Sequence, residues 1–395
     1  MSWPTQKLET VADFCLGKML DQKKNRGEPL PYLANVNVRW GEFDLANLRE
    51  MRFEQHELDR YGLKYGDIVM CEGGEPGRCA IWKEQCSSMM IQKALHRIRP
   101  HDCLRPEFLY YFLFYKARTG HLSSLFTGST IKHLPREKLA LVEVPVPPLS
   151  TQDQIASVLS AYDDLIENNR RRIQLLEQAA RLLYKEWFVH LRFPGHEHTQ
   201  IINGVPEGWE RKVLGDLCLE VRETVSPSVL EANTPYIGLE HMPRRSITLC
   251  EWGLAAQVTS TKHRFHEGDI LFGKIRPYFH KVGKALIDGV ASSDAIIIRP
   301  TSPHLLALVL MVTSSDAFVA VTAQQMKEGS KMPRADWKQM QLYPVPLPPN
   351  GFLRAFNDLI DPILKQLKTL AFANKRLGAA RDLLLPKLMN GEVAV

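Results

Sequence analysis

The chain has 395 residues, 45% of them hydrophobic and 24% charged, with a formal net charge of +6. This is the composition of an ordinary soluble protein with room for two cores, and so mild a basicity does not by itself imply a polyanion partner. The longest purely apolar run, residues 305–312, is far too short to span a bilayer, and Met1-Ser2-Trp3-Pro4 does not open a signal peptide, so a cytoplasmic protein with no membrane partner is expected.

From the N-terminus, short β-branched and aromatic runs broken by Gly, Pro and Asn predict strands, among them residues 31–38 and 67–70. An apolar helix is predicted over 106–116, followed by a turn at Gly128-Ser129. The step Val144-Pro145-Val146-Pro147-Pro148 then stops regular structure. Beyond it Ile155, Leu159, Tyr162, Ile166, Asn169, Ile173, Leu176, Ala180, Leu183 and Trp187 follow steps of four and three, the spacing of a coiled-coil seam.

The same order then runs a second time. Trp3 and Leu8 recur as Trp209 and Leu214, Pro31-Tyr32 as Pro235-Tyr236, and Gly66-Asp67-Ile68 as Gly268-Asp269-Ile270. Ser87-Ser88 recurs as Ser292-Ser293, Arg99-Pro100 as Arg299-Pro300, and Ala179-Ala180-Arg181 as Ala379-Ala380-Arg381. Strands are predicted at 235–239 and 295–298 and an apolar helix at 303–312, ahead of a second proline step that ends at Pro348-Pro349. The second seam runs through Phe356, Ile360, Ile363, Leu367, Leu370, Asn374, Leu377, Arg381, Leu384 and Leu388.

The fold class expected is α+β. Two similar mixed α/β heads are each followed by a long helix, and the helices pack as an antiparallel coiled coil. The boundaries read as a head over 1–150, a helix over 151–193, a second head with its linker over 194–350, and a helix over 351–395. Antiparallel pairing puts Ile155 opposite Leu388, Trp187 opposite Phe356 and Asn169 opposite Asn374, so that the two polar seam residues meet and fix the register. Pro362, capped by Asp361, should begin the second helix and Pro386 should end or kink it. That leaves a continuous helix over 362–385, about 35 Å long and close to one turn of duplex DNA, with the outer seam positions on short flanking helices.

Several segments have a familiar pattern. Leu183-Tyr184-Lys185-Glu186-Trp187-Phe188, Arg192-Phe193-Pro194-Gly195-His196-Glu197 and Gly204-Val205-Pro206-Glu207-Gly208-Trp209 resemble the central conserved region of type I restriction-modification specificity subunits. Arg381-Asp382-Leu383-Leu384-Leu385-Pro386-Lys387-Leu388-Met389-Asn390-Gly391-Glu392 resembles their distal conserved region, and Pro147-Pro148-Leu149 with Gln152 and Ile155-Ala156 fits as well. The resemblance implies two target recognition domains, each reading one part of a split, asymmetric double-stranded DNA sequence. It also implies assembly with two modification subunits and with restriction subunits. S-adenosylmethionine would then belong to the modification subunits, ATP and magnesium to the restriction subunits, and no cofactor to this chain.

Chemistry within the chain itself is sparse. Pro147-Pro148 and Pro348-Pro349 lack both the Asn or Asp and the aromatic of an amino-methyltransferase motif. The seven cysteines hold no C-x-x-C pair and no zinc spacing, and read as reduced packing residues. Gly268-x4-Gly273-Lys274 nearly spells a phosphate-binding loop, but Ile275 stands where a hydroxyl should reach magnesium and the interior reads as a strand. Asp216, Glu220 and Arg222 make no credible nuclease triad. A non-catalytic chain is therefore expected. The alternatives are a specificity or scaffold module of another defence complex and a nucleotide-binding enzyme using the Gly268 loop.

DNA contacts would fall to the heads. Lys274, Arg276, Tyr278 and Lys281 concentrate charge and an aromatic at a turn, where an Arg fork suits guanine O6 and N7. A solvated basic loop with Tyr278 packed inward is the competing reading. The counterpart in the first head is Glu72-Gly73-Gly74-Glu75-Pro76-Gly77-Arg78, where Gly73 and Gly74 permit close backbone approach, Arg78 is a contact candidate and the two glutamates suit cytosine N4. A plain turn explains this segment equally well. Lys93, with His96, Arg97 and Arg99, is a weaker candidate surface. Lys132 and Lys331 follow Gly128-Ser129 and Gly329-Ser330, an arrangement that suits either a phosphate clamp or a simple turn. Arg170-Arg171-Arg172 reads as facing solvent or a modification subunit.

Overall fold

The computed structural model describes residues 3–21, 25–46, 48–324 and 333–393. Contacts divide the chain into two compact units, one formed by Met1–Leu165 with Leu377–Val395 and the other by Ile166–Arg376. Each unit holds one head and portions of both long helices, Leu149–Tyr184 and Asn350–Met389.

In the first unit, the opening strand Thr5–Lys7 pairs antiparallel with Glu143–Pro145, tying the start of the head to the strand just before the long helix. A four-stranded antiparallel sheet runs in the order Ala12–Leu16, Leu95–Pro100, Ile68–Cys71, Cys79–Ile81. A second sheet has Glu28–Leu33 at its centre, antiparallel to Arg49–Phe53 and parallel to Met90–Ile91. The predicted strand over 31–38 thus stops at Leu33. Asn37 accepts the Ala34 N–H through its side-chain Oδ1 at 3.0 Å and turns Asn35–Asn37 into a 3-10 helix. The helix Pro106–Arg118 buries Phe108, Leu109, Tyr110, Tyr111, Phe112, Leu113 and Phe114, the signature of a helix surrounded by core.

The second unit repeats the plan within itself. Glu210–Val213 pairs with Pro344–Leu347, and the main sheet runs Cys218–Val221, Ala295–Pro300, Ile270–Gly273, Val282–Ala285, Thr248–Leu249. Pro235–Ile237 is parallel to Gly289–Ala291, as Glu28–Leu33 is to Met90–Ile91. Its apolar helix, Leu306–Thr313, is buried at every position from Ala307 to Thr313. Among the described residues no single helix is long and apolar enough to cross a membrane.

The repeated Gly-Asp-Ile and Arg-Pro motifs meet in space. Arg99 Nε and Nη2 donate to the two oxygens of the fully buried Asp67 at 2.7 and 2.6 Å, and Arg299 grips Asp269 at 2.7 Å through both nitrogens. Each carboxylate also accepts a backbone N–H three residues before it, from Lys64 and His266. Such planar, bidentate, charge-assisted pairs tolerate burial because the carboxylate is fully satisfied.

The long helices run antiparallel to each other within each unit. In the first, Ile155 and Leu159 share a core with Leu385, Leu388 and Met389, and Asp163 accepts from Tyr111 Oη at 2.8 Å and from Arg381. In the second, Trp187 lies 5.8 Å from Phe356 and Ala180 packs in the same core as Leu364 and Leu367. No seam position on either helix is exposed. The α-helix ends in a π-turn, Lys185–Val189, which lets the consecutive Trp187 and Phe188 both face inward.

One expectation is corrected. The second helix does not start at Pro362 or stop at Leu385; it is continuous over Asn350–Met389, about 60 Å at 1.5 Å per residue. Each internal proline forfeits one backbone hydrogen bond, at a cost of about 3 kcal/mol. Burial of Phe356 and Ile360 before Pro362, and of Leu388 and Met389 after Pro386, offsets it. The equivalence to a single DNA turn, drawn from the shorter helix, falls with it.

Candidate nucleic-acid interface

The two heads present their candidate loops from one shared frame. In the first, the residue after the central strand, Glu72, donates its N–H to Ala94 O at 2.9 Å and accepts from Leu134 N at 2.8 Å. In the second, Lys274 donates to Asp294 O at 2.7 Å and accepts from Ala335 N at 2.8 Å. A basic side chain from the returning segment then binds the carbonyl of a 3-10 turn. Arg78 Nη2 donates to Asn35 O at 2.8 Å, and Lys281 Nζ donates to Leu239 O.

In the first head this frame draws together several of the residues named from sequence. Gly73 forms a bridge to His133, whose own bridge to Thr127 closes the loop that displays the exposed Lys132. Gly74 has φ +83°, and a Cβ there would lie 2.7 Å from Asn35 Nδ2, so the close approach needs glycine. Lys93 is exposed on the turn next to Ala94. Arg78 is spoken for: besides Asn35 O it pairs with Glu75 at 2.6 Å, and its side chain is only 14% exposed. Glu75 also accepts from Trp40 Nε1 at 2.8 Å, and Glu72 lies 3.2 Å from His133 Nδ1. The weaker basic surface does not form as read. His96 and Arg97 are buried, His96 bonding Leu134 O at 2.8 Å and Arg97 bonding Asp59 O at 2.8 Å, while Arg99 is held by Asp67.

In the second head the loop is sharply bent. Arg276 and His280 adopt left-handed backbone conformations, φ 49° and 53°, on either side of the 3-10 turn Pro277–Phe279. Arg245, also left-handed at φ 56°, donates its N–H to His280 O at 2.8 Å. Three non-glycine residues with positive φ therefore meet at one point, strain of order 1 kcal/mol or more apiece that the surrounding bonds must hold. Pro277 is buried, whereas Arg276 is exposed and Tyr278 is 52% exposed, so Tyr278 does not pack inward. Lys274 is half-buried. Lys281 is directed into the head, and burial, then the nearby Arg244 charge, pulls its ammonium below the ordinary lysine range. Arg78 and Lys281 are thus placed as loop anchors. Lys331 lies outside the described residues.

Two residues at this turn, Arg244 and Arg245, were not named from sequence. Arg244 lies over the Phe279 ring at 4.1 Å, and Arg276 approaches the same ring at 6.0 Å. The Arg244-Arg245 dipeptide was the available signal, but its nearness to Phe279 depends on a long-range backbone bond that no local pattern announces. The phosphate-loop resemblance dissolves: Ile270–Gly273 is a strand buried at every residue, and only the single 3-10 turn Pro277–Phe279 follows Lys274, so there is no α-helix N-terminus to hold a phosphate. Asp216 bonds the Val213 N–H, and Glu220 pairs with Arg222 at 2.8 Å. Among the described residues no cluster of three His, Cys, Asp or Glu side chains is arranged to hold a metal.

Comparison with known proteins places this architecture. Residues 3–178 match the family model described as the type I restriction modification DNA specificity domain. The chain is 24% identical over 416 residues to the type I restriction enzyme MjaIX specificity subunit of Methanocaldococcus jannaschii, covering all of this chain and 94% of that protein. It is also 24% identical to the EcoDI specificity subunit of Escherichia coli, over 73% of this chain and 70% of the relative. The fold is that of the crystal structure of a type I restriction-modification S subunit from M. genitalium, with a TM-score of 0.57 at 16% identity, covering 98% of this chain and 96% of the other.

Proposed function

We propose that this chain is a DNA specificity subunit of a type I restriction-modification system and that its two heads read the two parts of a split, asymmetric DNA target. Residues 1–150 act as one target recognition domain and 194–350 as the other, with the helical segments 151–193 and 351–395 setting the gap between the parts. The chain is non-catalytic. Two modification subunits dock on it and carry S-adenosylmethionine, restriction subunits join them with ATP and magnesium, and the assembly works in the cytoplasm. Base flipping and methyl transfer take place in the modification subunits.

The observation that carries this reading is one frame holding two different loops. The Asp67–Arg99 and Asp269–Arg299 pairs and the backbone clamps on Glu72 and Lys274 are equivalent, whereas the loops they support differ in charge and shape. A doubled function would keep both loops alike; two readers would not. In the first head the contacts proposed are the backbone at Gly73 and Gly74, with Lys93 and Lys132 on phosphates; in the second they are Lys274, Arg276 and Tyr278, with Lys331 on phosphate. Asn169 and Asn374 fix the register of the helices between them.

The test is methylation mapping after co-expression with a modification subunit. A bipartite methylated motif is expected, and replacing residues 1–150 by those of another family member should change one half of it. A change in both halves, or in neither, would refute the assignment of one head to one half.

A further inference from the structure

Five arginines of the second head are committed to acids, whereas three, Arg211 on the strand Glu210–Val213 and Arg244 and Arg276 at the bent turn, are exposed. Arg222, Arg245, Arg264, Arg299 and Arg334 each lie within 3.4 Å of a carboxylate oxygen, on Glu220, Asp316, Glu223, Asp269 and Asp294. Arg244 and Arg276 are exposed and, among the described residues, have no carboxylate or hydrogen-bond acceptor; what they share is the face of Phe279. We infer that Arg244 and Arg276, oriented on Phe279, form a guanine-reading pair, so that the half-site read by the second head contains guanine contacted by these two residues, Arg244 being a further specificity-determining residue. The inference rests on the reading of that head as a DNA reader.

The geometry favours a base over a phosphate. Stacking on an aromatic face fixes the plane of a guanidinium and leaves its N–H edge outward, which is the arrangement a bidentate contact to O6 and N7 requires. A phosphate can also accept from an arginine fork but does not require one, since the point charge of a lysine binds it too. The turn that presents the pair is closed by backbone hydrogen bonds: Phe279 N–H donates to Arg276 O at 2.8 Å, His280 N–H to Pro277 O at 2.8 Å and Arg276 N–H to Pro333 O at 2.9 Å. Arg245, next to Arg244, is bound to the same turn through His280 O and to Asp316 at 2.7 Å. Backbone strain gathered at Arg245, Arg276 and His280 marks a conformation held for a purpose other than stability. At the matching loop of the first head the arginines are committed to acids, Arg78 to Glu75 and Arg39 to Asp44.

The experiment uses the complex of the full chain with its modification subunits. Methylation mapping gives the motif, and exchange of residues 194–350 identifies the half read by the second head. Duplexes carrying 7-deazaguanine, which lacks N7, at each guanine of that half are then titrated by fluorescence anisotropy against wild type, Arg244→Ala and Arg276→Ala. The wild-type complex should lose about ten-fold in affinity at the guanine each arginine reads, and the matching variant should bind the modified and unmodified duplexes alike. Unchanged thermal unfolding verifies that the variants are folded. A half-site without guanine, an equal 7-deaza penalty in wild type and both variants, or a uniform weakening on all sequences with a shallower salt dependence would overturn the inference. Failure of the exchange to change either half would instead sink the reading of the head itself, and the inference with it.

Discussion

The asparagine pair in the helical seam offers the sharpest energetic test of the frame. Asn169 Nδ2 donates to Asn374 Oδ1 at 2.9 Å, and both side chains are half-buried. A net hydrogen bond of this kind contributes about 0.5–1.5 kcal/mol. A leucine at either site would contribute about 1–2 kcal/mol of burial, below the ~1.5–3 kcal/mol of full burial because solvent still reaches the site. Replacing Asn169 alone therefore comes out near zero, since the gain is cancelled by loss of the bond and by the stranded amide of Asn374. Replacing both asparagines with leucine should stabilise by about 1–3 kcal/mol. In a unit of this size that raises Tm by roughly 2–12 °C. Scanning calorimetry on wild type, both single variants and the double variant gives the comparison. A companion cycle with alanine at each site should show a coupling of about 1 kcal/mol. A double leucine variant less stable than wild type, or an alanine cycle with no coupling, would refute the claim that this contact exchanges stability for register.

Asp67→Ala strands the Arg99 guanidinium. Because the Arg99 side chain is 27% exposed, a loss of about 2–3 kcal/mol in urea unfolding is expected, below the ~3–5 kcal/mol of a fully buried break. Asp67→Ala with Arg99→Ala should cost less than the sum of the single losses, and strict additivity would count against the pair. Gly128 has φ +92°, and a Cβ there would lie 2.2 Å from Ile131 O, so Gly128→Ala should destabilise the Lys132 loop by about 1–3 kcal/mol and weaken DNA binding without altering the motif. The imidazoles of His96 and His280 are both pushed below the ordinary histidine value of 6.5, chiefly by burial, with Nε2–H donating to Leu134 O and Ser314 O. Here the unfolded state binds the proton more readily than the folded state. Stability contributed by these groups is thus complete well above pH 6.5 and is lost as pH falls through that value toward the lower folded pKa. His280→Gln should flatten the acid limb of a stability-against-pH curve for the second head; an unchanged limb would exclude His280 as its source.

The sequence announced what repeats and what is periodic. Steps of four and three placed the seam, and the paired motifs Gly-Asp-Ile and Arg-Pro marked positions whose meeting as bidentate ion pairs only the fold reveals. The prolines misled, because propensity describes an isolated helix whereas Phe356 and Leu388 are buried beyond Pro362 and Pro386. The candidate loops were found by composition. Which of their cations stay free was not legible, since Arg78 and Lys281 are turned inward by the carbonyls of Asn35 and Leu239, residues some forty positions away in the chain. Arg244 was missed for the same reason.

That division explains how one frame can carry unlike readers. Glu72 and Lys274 occupy the same place, and each is held by its own N–H and carbonyl, in bonds that do not depend on what the side chain is. A glutamate and a lysine, opposite in charge, therefore fit the same site with the strand, the clamp and the buried Asp–Arg pair intact. Side chains that hold the frame, such as the buried Asp67 and Asp269, have no such freedom, because each accepts from a guanidinium and a backbone N–H together. Substitution at the clamped position changes the chemistry offered to a ligand at little structural cost, while substitution at the aspartates costs the head itself. Divergence between the two copies is accordingly concentrated where the main chain, and not the side chain, carries the structure.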